Sequence, residues 1–192
     1  MKPGEVACVV LASGLSERFG GPDKLRAPLC GKPLLDHVLD TVSAVGFAEV
    51  FLVSRLENYS GVTRIENNAP NKGQGHALRL GIRAARTRGW QNVCVLLGDM
   101  PLIEAAHIVK LIEKVTPSQS VISRLGEQTM PPAVFNMAAM EEILEGVSTM
   151  GARSLLTALD MQSFPIPSNQ AHDIDTPRDL ARVEAVMKDR EK

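Results

Sequence analysis

Residues 6–14 of this 192-residue chain read VACVVLASG. Seven consecutive apolar residues, rich in valine, run directly into Ser13 and Gly14. A short continuous apolar run that ends in a turn signal is typical of a strand buried on both faces, as in a parallel sheet. We therefore predict a buried strand over residues 6–12.

The same apolar signature recurs over residues 48–53 (AEVFLV) and 93–97 (VCVLL). Between and after these runs, apolar residues recur at three- and four-residue spacing, which predicts helices around residues 34–42, 78–85 and 108–115. Strands that alternate with helices imply right-handed crossovers and a parallel sheet. The pattern predicts an α/β fold of three layers, an α/β/α sandwich, in which helices cover both faces of a mostly parallel sheet.

The second half of the chain is less regular, but its elements can still be assigned. Pro177 suits the first turn of a helix, where its missing N–H is not needed. The predicted strands are residues 119–124 and 131–135, with a short extended piece at 163–167, and the predicted helices are 137–146, 152–160 and 177–190. Because no repeat, linker or low-complexity stretch interrupts the sequence, we expect one domain over residues 1–192.

Composition excludes several classes of function. Lys plus Arg is 21 and Asp plus Glu is 22, and aromatic residues make up 4% of the chain, so neither a phosphate-backbone surface nor a base-stacking platform is expected. No apolar run approaches the roughly 20 residues of a membrane span, and the N-terminus lacks the pattern of a signal peptide. Cys8 and Cys94 lie in apolar runs and are predicted to pack in the core. We expect a cytoplasmic protein that binds neither nucleic acid nor membrane.

Ligands of open parallel sheets bind beyond the carboxyl ends of the strands, and the first strand is followed by LASGLSERFGGPDK, residues 11–24. Its small residues let backbone N–H groups approach an anion, Ser16 adds a hydroxyl, and Arg18 and Lys24 add positive charge. The stretch is neither a Walker A loop nor a GxGxxG fingerprint. It predicts a cradle for a polyphosphate; the alternative is a flexible glycine-rich turn with two solvated cations.

Gly98-Asp99-Met100-Pro101 follows the third strand. A carboxylate at a strand end, held by a proline turn, suits Mg²⁺, which binds through one or two carboxylates plus substrate phosphates. The alternative is an N-cap for the helix that begins near Glu104, although Asp99 lies far upstream for that role.

Two further acids, Asp173 and Asp175, precede Pro177 in the segment HDIDTP. On an extended segment alternate side chains point to one side, so one of them could complete a metal site with Asp99. Asp175 or Thr176 could equally cap the helix that begins at Pro177. The segment also matches the DxDxT pattern of haloacid-dehalogenase phosphatases, but those enzymes need the motif after their first strand, and here one helix remains.

Residues 67–81, NNAPNKGQGHALRLG, form a polar, glycine-rich loop that runs into a helix. A helix N-terminus offers free N–H groups and the positive end of a dipole. This suits either the base or the phosphates of a nucleotide.

Taken in order, these motifs resemble the MobA-like nucleotidyltransferases, and more narrowly the molybdenum cofactor cytidylyltransferase branch. The matching stretches are Leu11 to Gly14, Ser16-x-Arg18-x-Gly20, Lys24, Gly31 to Leu35, Gly73 to Gly81, Gly98 to Pro101, Gly151 to Arg153 and Asp173 to Leu180. The resemblance implies a Rossmann-like fold and transfer of CMP from CTP to the phosphate of molybdopterin, with release of pyrophosphate.

The resemblance also implies the roles of individual residues. Arg18 and Lys24 would be catalytic, and Asp99 and Asp173 would hold Mg²⁺. The nucleotide would be bound by Leu11, Ala12, Ser13, Gly14, Ser16, Asn71, Gly73 and Gln74. The implied partners are CTP, molybdopterin, and a molybdoenzyme or its chaperone.

Three departures from the family pattern leave alternatives open. Ser13 stands where the cytidylyl type usually has alanine and the guanylyl type glycine, Ala77 replaces a usual serine, and residues 130–135 lack a usual glycine. One alternative is a guanylyl or other nucleotidyl transferase with a different phosphorylated acceptor. Another is a catalytically inactive, nucleotide-binding maturation partner of a molybdoenzyme.

Overall fold

The structure is a computed structural model that describes residues 1–21, 23–57, 59–146 and 159–190. Its strands are, in chain order, β1 (Ala7–Ala12), β2 (Pro28–Leu29), β3 (Lys32–Pro33), β4 (Glu49–Ser54), β5 (Thr63–Glu66), β6 (Val93–Leu97), β7 (Ser120–Leu125), β8 (Gln128–Phe135) and β9 (Met161–Pro165). Its α-helices are α1 (Leu34–Val45), α2 (Gly73–Thr87), α3 (Ala105–Lys114), α4 (Met137–Glu145) and α5 (Pro177–Arg190).

Seven of these strands form one sheet in the order β5-β4-β1-β6-β8-β7-β9, and β2 and β3 form a small separate hairpin. Strands β5, β4, β1 and β6 are parallel, β7 and β9 are parallel to each other, and β8 runs opposite to its neighbours β6 and β7. The sheet is therefore mostly parallel, with its carboxyl edge at the ends of β1, β4, β5 and β6.

Helices cover both faces of this sheet, which confirms the predicted three-layer α/β/α sandwich. On one face, Leu35 of α1, Ile108 of α3 and Val183 of α5 pack in one cluster with alternate residues of β1. On the other face, Leu78 of α2 and Met140 of α4 pack against the remaining residues of β1. All of β1 is buried, as the continuous apolar run predicts, and Cys8 and Cys94 are fully buried as free thiols.

Three parts of the sheet differ from the prediction. The last strand, β9, covers Met161–Pro165, two residues earlier than the extended piece predicted at 163–167, because it pairs with β7 from Ser120 onward. No strand was predicted at β5, whose four residues alternate between half-buried and exposed at the edge of the sheet. β8 begins at Gln128, earlier than the predicted residue 131, because Leu125 pairs with Gln128 across a tight turn in which Gly126 has φ +57°. The predicted helix over 152–160 and the Gly151–Arg153 motif lie outside the described residues, apart from positions 159 and 160.

One close approach at the carboxyl edge depends on a glycine. A Cβ at Gly98 would lie 3.1 Å from both Ala12 Cβ and Leu35 Cδ1, tighter than an ordinary contact. Because residue 98 has no side chain, its N–H reaches Leu11 O at 2.9 Å. This hydrogen bond continues the β1–β6 pairing and places Asp99 beside the loop that follows β1.

Candidate active site

A cavity of about 490 Å³ opens at the carboxyl edge of the sheet. Ser13 directly follows β1, Asn67 follows β5, and Gly98 and Asp99 follow β6. The residues that line the cavity are Leu11, Ala12, Ser13, Gly14, Leu15, Ser16, Glu17, Arg18, Lys24, Leu25, Pro70, Asn71, Gly73, Gln74, Ala77, Asp99 and Asp175. The order of the strands places the loop over 67–74 at one end and Asp99 at the other.

Lys24 lies between two carboxylates at the charged end of the cavity. Its Nζ is 2.7 Å from Asp99 Oδ2 and 2.9 Å from Asp175 Oδ1, and 9% of its side chain is exposed. Burial by itself lowers the pKa of Lys24, but the charges of Asp99 and Asp175 and the hydrogen bonds to them outweigh burial and raise the pKa. Lys24 is therefore held as an ammonium ion.

Arg18 reaches the same site from a surface loop. Its Nη2 is 2.7 Å from Asp175 Oδ2, and 74% of its side chain is exposed. The loop is held by Ser16, which has a left-handed backbone (φ 55°) and whose Oγ accepts a hydrogen bond from the N–H of Lys24 at 3.2 Å. One serine thus links the segments that carry both cations.

Asp99 has an oxygen available to a cation. Oδ1 is buried and has no hydrogen-bond partner within the described part of the chain, while Oδ2 accepts from Lys24. Burial raises the pKa of Asp99, the charge of Lys24 opposes this, and the charges of Asp173 and Asp175 add to the increase. An orphaned carboxylate oxygen beside further carboxylates fits a hard divalent cation such as Mg²⁺.

Few protein ligands are available to such a cation. Across residues 1–21, 23–57, 59–146 and 159–190, no three His, Cys, Asp or Glu side chains are grouped to hold one metal ion. A cation here would take several ligands from water or substrate, as Mg²⁺ usually does.

Asp173 and Asp175 differ in their surroundings. Asp175 lines the cavity and pairs with Lys24 and Arg18, whereas Asp173 is exposed and does not belong to the cavity wall. The segment is fixed to the site, because the N–H of Ile174 donates to Asp99 O at 3.0 Å.

The cap of α5 is Thr176. Its Oγ1 accepts from the N–H of Asp179 at 3.2 Å, and Asp179 Oδ2 accepts from the N–H of Thr176 at 2.9 Å. This reciprocal pair is a capping box, so Asp175 is not needed as the cap. Asp99 does not cap α3 either, because that helix begins at Ala105, six residues later, and its N-cap residue is Glu104.

The other end of the cavity carries little charge. Asn67 is 2% exposed, and its Nδ2 donates to Ser13 Oγ at 2.9 Å. The N-terminus of α2 supplies Gly73, Gln74 and Ala77 to the wall. This neutral end suits the base and ribose of a nucleotide, as the charged end suits its phosphates.

The structure brings nearly all of the predicted site residues into one cavity. The eight predicted nucleotide-binding residues, both predicted catalytic cations and Asp99 line it; Asp173 lies outside its wall. Two contacts were not predicted. Asn67 holds Ser13, and Arg55, directly after β4, donates to Gly14 O at 3.3 Å. Their position just past a strand end is the signal that could have identified them.

A nucleotide-sized cavity at the carboxyl edge of an α/β sheet, with cations and carboxylates at one end, is typical of the nucleotide-binding class of α/β proteins. Residues 8–163 match the model of the MobA-like NTP transferase domain family. The chain belongs to that family and is a nucleotidyltransferase.

Two relatives match this chain over nearly their whole length. The chain is 29% identical over 198 residues to "Purine catabolism protein PucB" of Bacillus subtilis, covering 93% of this chain and 96% of that protein. It is 29% identical over 189 residues to "Probable molybdenum cofactor guanylyltransferase" of Aquifex aeolicus, covering 93% and 90% of the two chains.

Solved structures share the fold. A nucleotidyl transferase from Methanothermobacter superposes with a TM-score of 0.80 at 17% identity, covering 96% of this chain and 98% of that chain. Rv0371c from Mycobacterium tuberculosis superposes with a TM-score of 0.77 at 21% identity, covering 94% and 98%. A complex of Rv0371c with manganese also matches, with a TM-score of 0.74 at 18% identity and the same coverage. No helix among the described residues is long and apolar enough to cross a membrane.

Proposed function

We propose that this nucleotidyltransferase uses Mg²⁺ to transfer CMP from CTP to the phosphate of molybdopterin, releasing pyrophosphate. The observation that carries the proposal is the position of Lys24, buried between Asp99 and Asp175 at the charged end of a nucleotide-sized cavity. A buried ammonium ion beside carboxylates is arranged for a ligand that brings both negative charge and a divalent cation.

In the proposed reaction an oxygen of the acceptor phosphate forms a bond to the α-phosphorus of CTP. The bond from the α-phosphorus to the bridging oxygen of the β-phosphate breaks, and pyrophosphate leaves with that electron pair. The attacking phosphate is already anionic, so the chain needs no strong general base. Its contribution is to position the reactants and to neutralise charge.

The residues have separate tasks in this scheme. Lys24 and Arg18 offset the negative charge that grows on the departing pyrophosphate. Backbone N–H groups over residues 12–16 hold the triphosphate, and Asn71, Gly73 and Gln74 contact the base or ribose. When bound, Mg²⁺ neutralises phosphate charge. Asp99, through its unpartnered oxygen, and Asp173 would hold it.

The choice of substrates is supported by two features. Ser13 is a small residue other than glycine at a position where the resembled cytidylyl branch has alanine, which favours CTP. The acceptor is supported by the name of a relative that shares nearly its whole length with this chain, a probable molybdenum cofactor guanylyltransferase.

Pyrophosphate release with molybdopterin, Mg²⁺ and each of the four nucleoside triphosphates tests the proposal. We expect release with CTP, its loss in the Asp99→Asn variant, and an unchanged circular dichroism spectrum in that variant. Nucleotide binding without pyrophosphate release would instead favour an inactive maturation partner, and retained turnover in the variant would remove Asp99 from the metal site.

A second candidate is guanylyl transfer to the same acceptor. Two relatives, from Aquifex aeolicus and Haloferax mediterranei, carry the name probable molybdenum cofactor guanylyltransferase, at 29% and 28% identity. Release of pyrophosphate from GTP in preference to CTP would establish this candidate in place of the first.

A further inference from the structure

The base end of the cavity contains a buried pair of polar side chains, Ser13 and Asn67. They are 6% and 2% exposed, and they come from loops that follow different strands, β1 and β5. Asn67 does not line the cavity itself; it stands behind Ser13, which does. The pair therefore connects a residue outside the wall to one that can touch a bound nucleotide.

The direction of the hydrogen bond between them is fixed by a third residue. The backbone N–H of Ala69 donates to Asn67 Oδ1 at 3.0 Å, which identifies that atom of the side-chain amide as the oxygen. The other end of the amide is then the NH₂ group, which donates to Ser13 Oγ at 2.9 Å. Ser13 must therefore accept this hydrogen bond.

A serine hydroxyl that accepts from Asn67 keeps its own proton for another partner. Within the described residues, the Ser13 O–H donates to no protein atom, and Ser13 lies in the wall of the cavity near the N-terminus of α2. The hydroxyl is thus available as an oriented donor beside the loop over 67–74, at the neutral end of the cavity.

We propose that Asn67 is a positioning residue that makes Ser13 a hydrogen-bond donor to an acceptor atom of the nucleobase, and so sets base preference. The inference rests on the proposed function, because it requires a nucleoside triphosphate in this cavity. Asn67 acts only through Ser13: it fixes which way the hydroxyl points and has no contact with the base.

The test is binding of CTP, GTP, ATP and UTP to the purified chain by calorimetry, with inorganic tripolyphosphate as a probe that has no base. Ser13→Ala and Asn67→Ala should each lower the affinity for the preferred nucleotide by about tenfold, which corresponds to the loss of one neutral hydrogen bond. The double variant should lose little more than either single variant, since both changes remove the same contact. Binding of tripolyphosphate should not change.

A second variant reverses the pair instead of removing it. In Asn67→Asp the side chain keeps its shape and still accepts from Ala69, but its other oxygen now accepts from the Ser13 hydroxyl. The hydroxyl would then present its oxygen to the cavity, so the order of preference among the four bases should change. The added negative charge should weaken binding of all four nucleotides and of tripolyphosphate by a common factor, which the tripolyphosphate measurement gives. Asn68→Ala is the matched control, because Asn68 is the exposed neighbour of Asn67 and lies outside the cavity wall.

The outcomes separate the inference from the proposed function. If the unmodified chain binds none of the four nucleotides, both fail. If it binds them and Asn67→Ala weakens all four and tripolyphosphate equally, the residue merely supports the loop and the inference alone is overturned. The same holds if Asn67→Asp leaves the order of preference unchanged.

Discussion

Lys24 occupies the position between carboxylates where positive charge is most needed before substrates bind. Its ammonium ion engages one oxygen of Asp99 and one of Asp175, at 2.7 and 2.9 Å. These contacts stabilise the site without nucleotide, but they also place a positive charge on the Asp99 carboxylate, whose unpartnered oxygen, Oδ1, is the atom that a divalent cation would approach. The side chain should therefore oppose metal binding in the free protein and support catalysis once phosphates arrive.

Substitution of Lys24 by methionine should strengthen metal binding in the free protein and slow catalysis. Mn²⁺ binding without nucleotide, measured by electron paramagnetic resonance, should tighten by at least about tenfold, because charge-assisted hydrogen bonds are worth roughly 1.5–3 kcal/mol. Turnover should fall on the order of a hundredfold, as for loss of one oriented donor at a developing charge.

Arg18→Met is the matched control for charge. It also removes one cation that pairs with Asp175, but from a largely exposed side chain where solvent screens the interaction. Mn²⁺ affinity should change much less than in the Lys24 variant. An equal gain in both variants would mean that net charge alone governs metal binding, and no gain in the Lys24 variant would contradict the role assigned to the ammonium ion.

Among the elements, α2 packs against β1 and β4 with no room for a side chain at Gly81. A Cβ at Gly81 would lie 2.3 Å from Val9 Cγ1 and 3.1 Å from Val53 Cγ2, and both valines are fully buried or nearly so. The missing side chain lets the helix bring its N-terminal residues, Gly73 and Gln74, to the cavity. The packing of one helix residue thus positions the base end of the site.

Gly81→Ala should lower the free energy of unfolding by about 1–3 kcal/mol, because the added methyl group overpacks a filled interface. Urea denaturation measures this directly. Gly4→Ala, at a position with open space around it, should stay within about 0.5 kcal/mol of the parent chain. A Gly81 variant as stable as the parent would show that α2 can shift away from β1 without loss.

The elements that the sequence predicts well are those with a long apolar pattern. β1, β6 and α1 follow from their apolar residues, since each is buried along its length or along one whole face. β5 is different, because an edge strand of four residues with alternating exposure has too little apolar content to stand out from a loop. The start of β8 depends on pairing with β7, which is a tertiary contact and leaves no local signal.

At the scale of the whole molecule, the site joins residues that are distant in sequence. Lys24 and Asp99 are 75 positions apart, and Lys24 and Asp175 are 151 apart. Sequence reasoning could bring Lys24 and Asp99 together, because parallel strands end at one edge. Local pattern could not choose between Asp173 and Asp175, since residues 171–175 form no regular strand and alternation does not apply; the choice of Asp173 came from the family resemblance alone.

A second set of contacts, between residues that do not line the cavity, links α3 to β7 and β8. His107 of α3 is buried, and its Nε2 is 2.8 Å from Ser123 Oγ of β7. Ser123 in turn donates to Pro132 O of β8 at 2.8 Å, so the serine oxygen accepts from the histidine N–H. Burial lowers the pKa of His107, and the charge of Lys110 lowers it further. The ring is therefore held neutral.

This histidine should make the fold less stable in mild acid. Its pKa is lower in the folded chain than in the unfolded chain, where histidine titrates near 6.5. Above that pH its contribution to the free energy of unfolding is therefore fully present. As the pH falls below about 6.5, the unfolded chain takes up a proton that the folded chain resists, with a limit of about 1.4 kcal/mol per pH unit. Urea unfolding of the parent chain and of His107→Gln from pH 8 to pH 5 measures the difference, and other titrating groups cancel in that comparison.

His76 also contributes to the pH dependence of the parent chain, because burial and the charges of Lys72, Arg79 and Arg83 lower its pKa. This contribution is present in His107→Gln as well, so it cancels in the comparison. His76 lies near the protein surface, so about 0.5 M salt should weaken the effect of those charges, whereas the burial of His107 is insensitive to salt. We expect His107→Gln to flatten the pH dependence at both low and high salt. If the free energies of unfolding of the two proteins depend on pH in the same way, acid destabilises the fold through other groups, and protonation of His107 does not contribute.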